Sequence, residues 1–132
     1  MSYLLLVDDD EDFTIPVAIM LRDAGYEVHI EMDLESAEKS MKARRPDLII
    51  LDVMFPENNL GGFEFCRKMR HFNEKIKNIP ILMLTAVNAK FPLRFSSIDI
   101  DDTWLPIDDF LEKPVDFDIL RNKVTKMLSY TD

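Results

Sequence analysis

The stretch "LLLVDDDED", residues 4–12, drives four aliphatic residues straight into five consecutive acids. With Tyr3 it forms "YLLLV", residues 3–7, a short run that is apolar at every position. Such a run fits a strand covered on both faces, not one with a wet side. Working outward, similar runs recur at "EVHIEM" (27–32), "DLIIL" (47–51), "IPILML" (79–84) and "DFLE" (109–112). The second is mixed in polarity and reads as an edge strand. Between the runs lie stretches of helical period. They cover 11–24 and stop at Gly25, then 34–45 behind Asp33 as N-cap, 62–72, and 116–129 behind Asp116 as N-cap. Strand alternating with helix predicts βαβ units with right-handed crossovers, hence an α/β fold of three layers, α/β/α, on a parallel sheet. Pro16 falls inside the first helical stretch and deletes one backbone hydrogen bond, which predicts a kink or a late helix start.

A chain of 132 residues, 47% hydrophobic and without repeats or linkers, predicts a single domain over 1–132. Twenty-five acids against 16 Lys and Arg give a net charge of -9. That balance opposes binding to nucleic acid or anionic lipid, so no direct nucleic acid binding and no membrane association are expected. Cys66 is the lone cysteine, so no internal disulfide can form, and it reads as a small buried hydrophobe. No stretch reads as a signal peptide or membrane span, which points to the cytoplasm.

The chemistry lies at the carboxyl ends of the strands, the edge where open α/β sheets place ligands. The first strand ends at Asp8 and Asp9, the third at Asp52, the fourth at Thr85, and the fifth at Lys113 followed by Pro114. Each has an ordinary structural explanation alone: acids start helices, threonine suits a strand, and lysine is usually solvated. Neighbouring strands, however, lie about 4.8 Å apart, so the set converges on one rim. Three carboxylates at close quarters repel unless a cation joins them, and Mg²⁺ (or Mn²⁺) suits an all-oxygen site that also takes phosphate oxygens. Together with the Lys113 ammonium and the Thr85 hydroxyl, such a site suits phosphoryl transfer onto a carboxylate, with Asp52 as the best nucleophile.

The segments "LLVDDD", "PDLIILDVMFP", "ILMLTA" and "DDFLEKPV", in this order along nearly the whole chain, resemble the response-regulator receiver domain of two-component signalling. The resemblance implies a flavodoxin-like sheet of order 2-1-3-4-5. It implies that Asp52 accepts a phosphoryl group from a sensor histidine kinase or phosphotransfer protein. Asp9 would hold Mg²⁺ directly and Asp8 chiefly through water, with Asp52 and the backbone carbonyl of Met54 completing the protein ligands. Lys113 and Thr85 would bind the phosphoryl group, helped by the backbone N–H of Ala86. Pro114 would follow a cis bond, and Phe110 stands where the family has its switch aromatic. The domain would catalyse its own phosphorylation and relay the signal to an effector protein. Monomer and phosphorylation-dependent dimer both fit the resemblance.

Two segments depart from the family pattern. "VMFPENNLGGFE", after Asp52, is longer than usual. So is the interval from Thr85 to Lys113, which carries Pro92 and Pro106 and predicts an atypical helix between the fourth and fifth strands. Trp104 and Leu105 read as pinning this segment to the core, with a partner anchor as the alternative, and Phe91 and Phe95 read as core residues. Met54 and Val87 stand two residues after Asp52 and Thr85, and neither can orient a hydrolytic water, which predicts slow self-dephosphorylation. Three other functions share parts of this pattern. A receiver-like interaction module working without phosphate would share every packing feature. An aspartate-nucleophile phosphatase would want a second acid where Met54 stands. An EF-hand over Asp8, Asp10 and Asp12 would need Gly and Glu where Phe13 and Ile19 are found. No DNA-binding motif follows the last helix, so a stand-alone regulator is the expectation.

Overall fold

The computed structural model describes residues 2–52, 61–71, 76, 78–86, 109–113 and 115–129. In chain order the elements are β1 (Tyr3–Val7), α1 (Glu11–Asp23), β2 (Glu27–Glu31), α2 (Leu34–Ala43), β3 (Leu48–Asp52), α3 (Gly61–Met69), β4 (Ile81–Ala86), β5 (Asp109–Lys113) and α4 (Phe117–Ser129). The five strands pair in parallel in the order β2-β1-β3-β4-β5, the order that the resemblance implied. Residues 87–108, with the atypical helix expected there, lie outside the described residues, as do Met54 and Pro114.

Alternation along the strands splits the core into two halves. Leu4, Leu6, Leu48, Ile50, Leu82 and Leu84 face Val17, Ala18 and Leu21 of α1 and Leu120 and Val124 of α4. Leu5, Val7, Ile49, Leu51, Ile81 and Met83 face Ala37 and Met41 of α2 and Phe65 and Met69 of α3. The register keeps each set level across the sheet: Leu6 lies beside Ile50, and Ile50 beside Leu82. Burial on both faces is the reason these strands read as unbroken apolar runs. Ile50 is fully buried on a strand flanked on both sides, so Ile50→Ala is expected to lower stability by about 2–5 kcal/mol in urea unfolding. Thr14 is the exception in this packing. It is buried in α1, and its Oγ1 has no hydrogen-bond partner. Thr14→Val keeps the shape and removes an orphaned hydroxyl, with an expected gain of about 1 kcal/mol in the same assay.

Helix ends follow the capping residues. Asp10 Oδ1 accepts the Asp12 N–H at the start of α1, and Asp33 Oδ1 accepts the Ser36 N–H at the start of α2. Asp116 Oδ1 accepts from Asp118 and Ile119 ahead of α4. Gly25, with φ 99°, takes the left-handed turn after α1. The late start anticipated from Pro16 does not occur, since α1 begins at Glu11 and runs on through the proline. The Asp10 cap and the acids of the first turn fix the helix start ahead of Pro16. β4 begins at Ile81 although the apolar run begins at Ile79, because Pro80 has no N–H to donate. Its carbonyl still accepts from Ile49 N at 3.0 Å. Where the strands begin, Tyr3 N–H donates to Asp47 Oδ2 at 2.7 Å, while the Arg44 guanidinium lies over the Tyr3 ring and donates to both Glu27 oxygens.

Candidate functional site

The opposite rim, where the strands end, gathers the acids. Val7 pairs with Leu51, so the residues that follow, Asp8 just past β1 and Asp52 at the end of β3, come level at the tips of adjacent strands. Asp8 is fully buried, Asp52 is 8% exposed and Asp9 is half-buried. One carboxylate oxygen from each of the three lies within 4.8 Å of the others. It is the one such group of potential metal ligands among the described residues.

Local turns hold the acids in place. The Asp8 backbone N–H donates to the Glu31 carbonyl at 3.2 Å, tying the end of β1 to β2. The Asp8 Oδ1 accepts the Asp10 N–H at 3.0 Å, which turns the chain from strand into helix. Asp10 is then spent on capping α1, and Glu11 and Asp12 lie in its first turn, where the helix dipole favours negative charge. Five consecutive acids therefore divide into two that face the rim and three that open a helix.

The next two strands extend the same rim. Asp52 pairs with Leu84, so the Thr85 backbone lies one step past it on β4. Ala86 in turn pairs with Lys113 on β5. Backbone register thus brings Asp8, Asp52, Thr85, Ala86 and Lys113 to the carboxyl edge of four adjacent strands. Phe110 pairs with Met83, inside the sheet and back from the rim. Sequence reasoning identified the three acids but did not anticipate that Asp10 contributes its backbone N–H to Asp8. The signal was present in the Asp-x-Asp spacing, which is that of an Asx turn.

Three carboxylates converging in a largely buried site repel one another when ionised, and an all-oxygen donor set of this kind fits a hard divalent cation. Buried acids at the tips of adjacent parallel strands, in a 2-1-3-4-5 sheet, are the arrangement the sequence motifs anticipated. Residues 4–125 match the response regulator receiver domain family, and the chain belongs to it. Its relatives include the CAI-1 autoinducer sensor kinase/phosphatase CqsS of Vibrio cholerae. That protein is 35% identical over 121 residues, which are 92% of this chain and 16% of CqsS. The DNA-binding dual master transcriptional regulator RpaA of Synechocystis is 33% identical over 132 residues, all of this chain and 51% of RpaA. A crystal structure of a candidate response regulator from Chloroflexus aurantiacus is 32% identical. It superposes with a TM-score of 0.79, covering 97% of this chain and 98% of that one.

These relatives correct one expectation. Acidity argued against nucleic acid among the partners, yet RpaA is by name a DNA-binding regulator. The chain spans about half of RpaA, so its charge of -9 describes only the matched half and does not speak for what such proteins contact as a whole. No helix among the described residues is long and apolar enough to cross a membrane.

Proposed function

We propose that this domain accepts a phosphoryl group on Asp52 from the phosphohistidine of a sensor kinase or phosphotransfer protein, in the cytoplasm, and relays the change to an effector. The observation that carries the proposal is the convergence of Asp8, Asp9 and Asp52 within 4.8 Å at the tips of adjacent strands. Asp9, Asp52 and the Met54 carbonyl would hold Mg²⁺ or Mn²⁺, with Asp8 acting chiefly through water. The cation would supply positive charge against the transferring phosphoryl group. An Asp52 carboxylate oxygen attacks phosphorus as the bond to the donor nitrogen breaks, leaving an acyl phosphate and a histidine to which the released electron pair returns. Lys113 contributes a second positive charge, and Thr85 with the Ala86 N–H donates to the phosphoryl oxygens. Phe110 follows Thr85, and the surface around β4 and β5 repacks. The matched domain, placed at 1–132, occurs among relatives in a sensor kinase/phosphatase and in a DNA-binding regulator, so the signal is open to either kind of output.

Mass measurement after incubation with a small phosphodonor and Mg²⁺ tests the proposal. A gain of one phosphoryl group in wild type and none in Asp52→Ala supports it, and equal masses in the two overturn it. Decay of the phosphorylated chain tests the flanking residues. With Met54 and Val87 unable to orient water, loss is expected to be slow, and Met54→Asn is expected to accelerate it.

A further inference from the structure

Charge is segregated on this molecule in a way that the net value hides. Residues 2–31 hold eight acids and one arginine, whereas residues 39–45 hold Lys39, Lys42, Arg44 and Arg45 with no acid, Arg44 being paired with Glu27 and Lys39 with Glu35. Residues 67–71 hold Arg67, Lys68 and Arg70, again with no acid. The fold brings these two basic segments together. α2 and α3 cover the same half of the core, and both end at the rim where the strands begin, opposite the aspartates. Lys68 on α3 reaches Glu38 on α2 at 2.6 Å, and Lys42 approaches the same carboxylate at 3.8 Å. One carboxylate therefore lies between two ammonium groups from two helices. Their side chains stay open to water, with Lys42 52% and Lys68 61% exposed.

The helix dipole accounts for Lys42, Arg67 and Lys68, which lie in last turns. It does not account for Arg45 and Arg70, which stand beyond the helix ends and donate to the Pro46 and Ile79 carbonyls. Those bonds hold two further guanidinium groups at the same rim.

We propose that the basic rim formed by the ends of α2 and α3 is a docking surface for an acidic polypeptide segment. A carboxylate from such a segment extends the Lys42–Glu38–Lys68 arrangement, and the charges of Arg45 and Arg67 on the same rim add to the attraction. A short acidic segment fits better than nucleic acid. Duplex DNA carries a charge about every 1.7 Å and runs on past the rim toward the acidic α1 side, where it is repelled.

The test uses the full chain and a fluorescein-labelled, glutamate-rich peptide followed by anisotropy. Wild type is expected to bind at low salt, with affinity falling as salt rises, and Lys42→Glu/Arg45→Glu is expected to bind at least about tenfold more weakly. A neutral variant, Lys42→Gln/Arg45→Gln, is expected to fall between the two and decides the matter if the reversed variant fails to fold. The proposal is overturned if wild type does not bind the peptide at low salt or if folded variants bind it as well as wild type. It is also overturned if duplex DNA binds more tightly than the peptide, which would assign the rim to a nucleic acid backbone.

Discussion

An Asp52→Ala chain incubated with phosphodonor and Mg²⁺ is expected to stay at its starting mass, while wild type gains one phosphoryl group. Three carboxylates share the site, so the choice of Asp52 as acceptor requires a reason for each alternative. Asp8 is fully buried and one of its oxygens already accepts the Asp10 N–H, which orients it as a fixed acceptor of hydrogen bonds or a cation. Asp9 begins the turn into α1 and is the most exposed of the three, placed to face a cation together with solvent. Asp52 ends the strand between β1 and β4. It therefore has the acids on one side and the Thr85 backbone on the other. From that position a phosphoryl group on the carboxylate would lie between the other two acids and the β4–β5 tips. A second readout separates this role from mere folding. In metal-free buffer Asp52→Asn removes one of three mutually repelling charges, so its unfolding midpoint is expected to rise above that of wild type even though phosphorylation is lost. A variant that lost phosphorylation together with stability would indicate a structural role instead.

Legibility varied with how local each signal was. The runs located all five strands to within two residues, and in β1, β3 and β4 burial on both faces leaves no polar position inside the run to blur them. Their ends shifted where the backbone ladder, not side-chain polarity, decides. β3 runs to Asp52, and β4 begins after Pro80. Asp10, Asp33 and Asp116 were readable as caps or helix openers because capping is a short-range hydrogen bond. Contacts across the chain were not readable. The Arg44 guanidinium over Tyr3, its pairing with Glu27, and the Lys68–Glu38 bridge join segments whose proximity only the fold creates. The Arg44 pairing also leaves a titration signature. The guanidinium holds the Glu27 carboxyl below its ordinary value, so whatever stability the pair adds is present above the unfolded-state value and is lost as pH falls through the folded one. The reading on nucleic acid went astray for a different reason: the charge of -9 belongs to this chain alone, which spans about half of a relative named as a DNA-binding regulator.

Replacing Asp9 by Ala is expected to abolish Mg²⁺ binding, the second large effect. Asp8, Asp9 and Asp52 supply all the carboxylates of the cluster, and the resemblance gives Asp9 a direct place on the cation where Asp8 acts through water. Binding to the native state alone stabilises by about 2.7 kcal/mol when Mg²⁺ is at a hundred times its Kd, so wild type melts higher as Mg²⁺ is added. Asp9→Ala should show no such rise, and its metal-free stability should not fall, because it too loses one repelling charge. The neighbouring acids provide the contrast. Asp10→Ala deletes the Oδ1 that accepts the Asp12 N–H and costs about 1 kcal/mol of helix capping, but it keeps the backbone N–H that holds Asp8. Asp10→Ala is therefore expected to melt lower than wild type yet rise with Mg²⁺ by the same amount, and Asp12→Ala to respond likewise. Titration calorimetry decides the point. If Asp9→Ala and Asp10→Ala bind Mg²⁺ equally well, the five acids do not divide at Asp9, and the cation ligands lie elsewhere on the rim.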